Sequence, residues 1–185
     1  MPVKFTFTNP LAKTWLLIHQ CHRLLSRAEN AAFVQVGLTT RKHAVLFALR
    51  NLKDPVTVTD VARWLDRNPN GISMLIDRMV KDGLVDRIKD MPDRRSVRLE
   101  ITPKGKKAII AGNQLTRKVY KQIFGGISNS DFVKISAILE RVRFKTLDYL
   151  ELDYSKEEMQ MLKDQSSRVA RYLSQGEDGD DDDQP

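Results

Sequence analysis

Hydrophobic positions recur first with a helical period, then briefly with a strand period, then with a helical period again. At Asn9-Pro10 a polar cap precedes proline at the first helical position, and Leu11, Trp15, Ile18, His22 and Leu25 follow with 4-3-4-3 spacing. Leu17, Leu24 and Ala28 widen that stripe, and the helix is expected to reach about Phe33 before Val36-Gly37-Leu38 breaks it. Thr39 or Thr40 caps a second helix whose buried face is Val45, Leu46, Leu49 and Leu52. Asp54-Pro55 stops it, and Val56-Thr57-Val58 reads as a very short strand. Thr59 is the expected cap of a third helix, Asp60 to Leu65, with Val61, Ala62 and Leu65 inward. Asn68 caps a fourth, with Pro69 at its first position. There Ile72, Leu75, Ile76, Met79 and Val80 follow the one-sided i, i+3, i+4, i+7, i+8 pattern, and Asp82-Gly83 ends it.

The period then falls to 2. Leu84 to Lys89 is one expected strand, and Ser96 to Ile101 another, with Val97, Leu99 and Ile101 on one face and Ser96, Arg98 and Glu100 on the other. Asp90-Met91-Pro92-Asp93 supplies turn chemistry between them. Thr102-Pro103 opens a long helix to about Phe124, ended by Gly125-Gly126. Ser128 starts another helix, striped by Phe132, Ile135, Leu139, Val142 and Leu147. Ser155 to Glu158 is a capping-box pattern for a last helix to about Leu173. Beyond Gln175 the chain is acidic and free of apolar residues, and is expected to be disordered. The fold class expected is mainly α with a small β-hairpin wing.

Charge sharpens this picture. The chain carries a formal charge of +7, yet its last ten residues, GEDGDDDDQP, hold six acids and no base. Between Thr39 and Lys107 there are 16 Lys/Arg against 9 Asp/Glu. A basic body with an acidic end suits a polyanionic partner. No apolar run long enough to span a membrane occurs, MPVKFTFTNP lacks a signal-peptide core, and the single Cys21 excludes an internal disulfide; together these favour the cytoplasm. No phosphate-cradling glycine loop, nucleophile elbow, carboxylate pair with a histidine, or metal box is present, so neither an enzyme nor a cofactor is expected.

Helix, short helix, helix and hairpin is the order of a winged helix-turn-helix, in which the second short helix enters the major groove and the hairpin tip reaches the backbone or minor groove. With its apolar side turned in, the fourth helix shows Asn70, Gly71, Ser73, Met74, Asp77 and Arg78 outward. Asn can read adenine and Ser can contact bases or phosphates. Gly71 either lets DNA approach closely or answers a local packing need.

The stretch IDRMVKDGLVDRIKDMPDRRSVRLEITPKGKK, residues 76 to 107, resembles the MarR-type winged-helix transcriptional regulators. That pattern has Asp-x-Arg in the wing, then Leu-Thr-x-x-Gly opening a long helix; Asp93-Arg94-Arg95 and Ile101-Thr102-Pro103-Lys104-Gly105 match it, with Ile for Leu. The resemblance implies a homodimer with interlocked N- and C-terminal helices and two winged domains on a pseudo-palindromic operator of double-stranded DNA. The order of elements agrees with it from about residue 10 to 150. The helix expected over 156–174 extends beyond that architecture, and with it the expected division is an N-terminal segment with a dimerisation helix (1–38), a winged domain (39–102), dimerisation helices (103–174) and an acidic tail (175–185). The resemblance also assigns roles to individual residues. Arg95 resembles the wing arginine that enters the minor groove, whose narrow walls concentrate negative potential, and Asp93 the acid that orients it. Arg94 is a phosphate contact or is solvated. Asn68, Asn70, Ser73, Met74 and Arg78 occupy recognition-helix positions, with a plain N-cap as the other reading of Asn68. Arg41 and Lys42 hold phosphates or are solvated helix-surface charges, and Lys104, Lys106 and Lys107 form a solvated face.

Three weaker signals remain. His19 and His22, one turn apart beside Cys21, could share a zinc, but no further ligand cluster lies nearby, so packing or dimer-seam histidines are expected and no metal site. The resemblance also implies a small-molecule effector, for which Trp15, His19, His22, His43, Phe47 and Leu115 would be linings, with core packing as the competing reading. The acidic tail reads first as solubilising, and otherwise as a competitor for the basic face. The expected function is a sequence-specific DNA-binding transcriptional regulator, a repressor by default. The rival is a winged-helix protein-interaction module, which would show a hydrophobic or acidic wing; the arginine-rich tip argues against it.

Overall fold

Cap chemistry within three residues of each start sets most of the helices. Asn9 Oδ1 accepts from the Leu11 and Ala12 amides, Thr39 Oγ1 from Lys42, Asn68 Oδ1 from Asn70, Thr102 Oγ1 from Gly105 and Ser128 Oγ from Asp131. The structure, a computed structural model, describes residues 9–91, 97–151, 160 and 163–169. In chain order these form α1 (Pro10–Val34), α2 (Thr40–Asn51), α3 (Val58–Trp64), α4 (Pro69–Lys81), β1 (Val85–Ile88), β2 (Arg98–Ile101), α5 (Pro103–Phe124) and α6 (Asn129–Tyr149). Residues 163–169 are also helical. The hairpin tip at 92–96, the capping box at Ser155 to Glu158 and the chain after Gln175 lie outside the described residues.

The third helix departs from expectation. Its cap is Thr57, not Thr59: Thr57 Oγ1 accepts from the Asp60 amide while the Thr57 amide donates to Asp60 Oδ2 at 2.9 Å, a reciprocal capping box. Asp60 sits three residues after Thr57, the separation the box requires. The expected strand at Val56-Thr57-Val58 therefore shrinks. Val58 belongs to α3, and the segment keeps one antiparallel bridge, Thr57 to Arg98, plus the bond from the Leu99 amide to the Val56 carbonyl at 2.8 Å. Advancing the start also rotates the buried face: Trp64 joins Val61 and Ala62 inside, and Leu65 is only half-buried.

β1 and β2 pair antiparallel from Val85 opposite Ile101 to Ile88 opposite Arg98. Their inner face closes over α2, α3 and α4, and Leu46, Val61, Ile76, Met79, Val85 and Leu99 form one continuous core. Each such side chain contributes about 1.5–3 kcal/mol by leaving water. Where α5 leaves the hairpin, a Cβ on Gly105 would stand 2.1 Å from the Leu84 carbonyl oxygen, so only glycine lets the helix lie this close. Ile109 is buried one turn on.

The helices outside this unit are covered incompletely. α1 buries Ala32 and Phe33 near its C-terminal end, whereas Leu11, Trp15, Leu17, Ile18 and Leu24 are exposed. α6 buries no residue at all; of its expected stripe, Phe132 and Leu147 are half-buried and Ile135, Leu139 and Val142 are exposed. The described part of the last helix touches the winged unit instead, through Arg168 against Asn51 and Trp64.

Candidate nucleic-acid interface

α4 has two chemically distinct sides. Ile72, Ile76 and Met79 are buried, and Asn70, Gly71, Met74, Asp77 and Arg78 are exposed, as expected from their spacing. Asn68 does cap this helix. A Cβ on Gly71 would meet nothing within 4 Å, so local packing does not demand glycine there.

Ser73 is half-buried because of a residue that the sequence analysis did not single out. Arg87, on β1, donates from Nη2 to Ser73 Oγ at 3.2 Å and to Asp77 Oδ1 at 2.8 Å. It ties the hairpin stem to the outward side of α4. Ser73 accepts this bond and keeps its own O–H to donate. The available signal was an arginine on a half-buried strand, in helix-facing alternation with Val85.

The expected wing residues Asp93, Arg94 and Arg95 fall within 92–96, outside the described residues. The stem below them is held by a pair that also escaped the sequence reading. Arg98 Nε donates to Asp90 Oδ1 and Oδ2 at 2.8 and 2.9 Å, Nη2 lies 2.8 Å from Oδ2, and Nη1 donates to Glu100 at 3.1 Å. This hydrogen bonding holds the Asp90 carboxyl below its usual pKa and raises that of Arg98. Opposite charges on either side of the turn are the sole sequence hint of this pair, and they do not specify which charges meet.

On α2, Arg41 is exposed, but Lys42 is engaged: its Nζ binds Asp82 Oδ2 at 2.7 Å and lowers that carboxyl's pKa. Lys104, expected on a solvated face, donates from Nζ to the Asp82 carbonyl at 2.6 Å, at the C-terminal end of α4. Both lysines are positioned by the end of α4, where the helix dipole favours cations.

The residues suggested for an effector divide into two groups. His43 stacks on Phe33 at 4.3 Å, lies 6.3 Å from the Phe47 ring, and donates from Nε2 to the buried Asn113 Oδ1 at 2.7 Å. Burial pushes its pKa down. Leu115 is half-buried on α5. Trp15 contacts His19 at 4.6 Å and, with His22, is exposed on the other part of α1. Phe33 follows Trp15 by about 27 Å of helix at 1.5 Å per residue, so one chain does not bring the two groups together. Cys21 is exposed, and among the described residues no group of three or more His, Cys, Asp or Glu is placed to hold a metal.

Comparison with known proteins agrees with this geometry. A sequence profile of the MarR family matches residues 36–96, from the start of the winged unit into the hairpin. The transcriptional activatory protein BadR of Rhodopseudomonas palustris is 32% identical over 118 residues, 62% of this chain and 67% of that relative. The chain belongs to the MarR family. It is a winged-helix, DNA-binding transcriptional regulator, of a family of transcription factors rather than enzymes. The organohalide-sensing regulator RdhR-CbdbA1625, solved with 2,4-dichlorophenol bound, superposes with a TM-score of 0.68 at 27% identity, covering 80% of this chain and 90% of that one. MarR of E. coli, solved as a mutant with operator DNA, shares the fold with a TM-score of 0.65 at 19% identity over 75% of this chain and 99% of its own. Among the described residues no helix is long and apolar enough to cross a membrane.

Proposed function

We propose that this regulator binds a pseudo-palindromic operator as a homodimer, with residues 70–82 in the major groove and the wing, 90–96, at the minor groove. The observation that carries this reading is the two-sidedness of α4: its apolar side is locked into the core while Asn70, Met74 and Arg78 stand free of it beside the hairpin stem. Asn70 and Arg78 suit base edges or phosphates, Met74 suits a thymine methyl, and Ser73 can still donate. Asn68 and the open space at Gly71 let the leading turn approach the groove. Arg41 and Arg94 supply phosphate contacts, and Lys42 joins them by exchanging Asp82 for a phosphate. Arg95, oriented by Asp93, enters the minor groove.

The uncovered apolar faces of α1 and α6 support the dimer. Leu11 is 77% exposed and Val133 69%, a quantity of apolar surface that a second copy would cover. In this division residues 39–102 read DNA, while 1–38 and 103–174 dimerise. A cytoplasmic location accords with this reading. A second reading of the sign of regulation, activation in place of repression, is favoured by the name of the curated relative. A small aromatic effector also fits: Phe33, His43 and Phe47 line the seam joining α1, α2 and α5, and RdhR-CbdbA1625 was solved with a chlorophenol.

Footprinting of purified protein on genomic DNA tests the core of this reading. Two half-sites about one helical turn apart are expected, and one asymmetric half-site occupied by a monomer would overturn the dimer. Arg95→Ala should weaken duplex binding by about 1–3 kcal/mol with the fold intact. Unchanged affinity at fixed salt would reject the wing assignment.

A further inference from the structure

The last described segment does not extend away from the winged unit. Arg168 Nη1 donates to Asn51 Oδ1 at 3.2 Å, and its guanidinium stands 5.9 Å from the Trp64 ring centroid. Asn51 ends α2 and Trp64 ends α3. Trp64 precedes Asn68, the cap of α4, by four residues, at most about 15 Å of chain. The C-terminal segment is thus fastened next to the leading turn of the DNA-reading helix.

Beyond this anchor come the acids. Glu177 is nine residues past Arg168 and Asp183 fifteen, distances the chain can span up to about 30 and 50 Å respectively. A unit the size of the winged domain is only about 30 Å across, so its whole DNA-reading side is within range. That side shows Arg41, Arg67, Arg78 and Lys81 exposed, and the positive end of α4 at Asn68 to Asn70. Six acids with no base among them match this surface as DNA phosphates do. A short tether supplies them at a local concentration in the millimolar range.

We propose that residues 177–183 dock on the DNA-reading side of their own chain and compete there with duplex DNA, Arg168 serving as the anchor. The proposal rests on the DNA-binding reading of α4 and makes it self-regulated. Salt weakens both interactions, so the competition is strongest at low ionic strength.

The test compares the full chain with three variants: the chain ended at Gln175; the chain with Glu177→Gln and Asp→Asn at 178 and 180–183; and Arg168→Ala. Binding is read by the anisotropy of a fluorescein-labelled, mixed-sequence duplex of about three helical turns. Truncation and neutralisation should each tighten binding about three- to tenfold at low salt, the difference closing as salt rises. Arg168→Ala separates docking from bulk charge. Losing a cation predicts weaker DNA binding, whereas losing the anchor predicts tighter binding, about twofold or more. A spin label at Asp181→Cys, in a Cys21→Ser background, should broaden the amide signals of Asn70 to Asp77, and added duplex should restore them. Weaker binding by Arg168→Ala with no broadening would overturn the proposal. Broadening without duplex binding by any variant would leave the docking standing and overturn the DNA reading instead.

Discussion

From α2 to the start of α5, apolar periodicity and burial coincide: Leu46, Val61, Ile76, Met79 and Val85 are enclosed by elements of the same chain. In α6 an equally regular stripe encloses nothing, and on α1 Trp15 is 62% exposed. Both regions obey the same local rules of helix formation. They differ in whether the chain also supplies the opposing surface. Periodicity reports that a helix has a face to bury; it does not report what covers that face. The winged unit closes on itself because short turns return α2, α3, α4 and the hairpin to one another. The long helices leave that unit with most of their apolar stripes exposed.

The contrast can be broken most sharply in the core. Ile76→Ala, at a fully buried position, should cost about 2–5 kcal/mol and lower the urea midpoint accordingly. A loss below about 1 kcal/mol would mean that the winged unit is not closed as described. Gly105→Ala forces a methyl into the Leu84 carbonyl and should cost about 1–3 kcal/mol, separating α5 from the hairpin.

In the long helices the effect should appear in association and not in folding. Ile138→Asp with Val142→Asp, both exposed in one chain, should leave the far-ultraviolet circular dichroism unchanged while sedimentation velocity shifts from dimer to monomer. A persistent dimer would place the interface elsewhere.

The seam between the two regions should respond to acid. Burial lowers the His43 pKa below its ordinary 6.5, so the folded state favours the neutral ring. The corresponding stability is complete above the unfolded value and is lost as pH falls through 6.5 towards the folded value. Melting temperature should therefore decline as pH falls below 6.5, and His43→Gln should flatten that decline. An unaltered profile would remove His43 as its source. The smallest effect belongs to the surface pair. Lys42→Met should cost less than about 1 kcal/mol, since Asp82 is half in water and screened. A larger loss in urea titration would show that this pair helps to hold α2 against α4.

Much of the fold was legible because cap bonds and turn chemistry act over two or three residues. Asn9, Thr39, Asn68, Thr102 and Ser128 each start the helix expected of them. The outward side of α4 was legible for the same reason, since the buried positions of one helix specify the exposed ones. Arg87 and Arg98 were not, because their importance lies in partners 10–14 and 8 residues away across a turn. Sequence spacing does not report such distances. Lys42 likewise finds Asp82 forty residues along the chain.

The amino-acid sequence alone thus specified where all the helices but α3 begin among those described, which side of each is apolar, the change of period that marks the hairpin, and the family to which the chain belongs. These are set by torsional preference and by hydrogen bonds between near neighbours. Only the tertiary structure decided that Thr57 and not Thr59 caps α3, since either threonine can cap while Asp60 and the bridge to Arg98 select one. Only it showed Trp64 inside, Ser73 held by Arg87, and the apolar stripe of α6 uncovered. Those outcomes depend on which surfaces meet after the chain turns back on itself, and on the space that remains where they do.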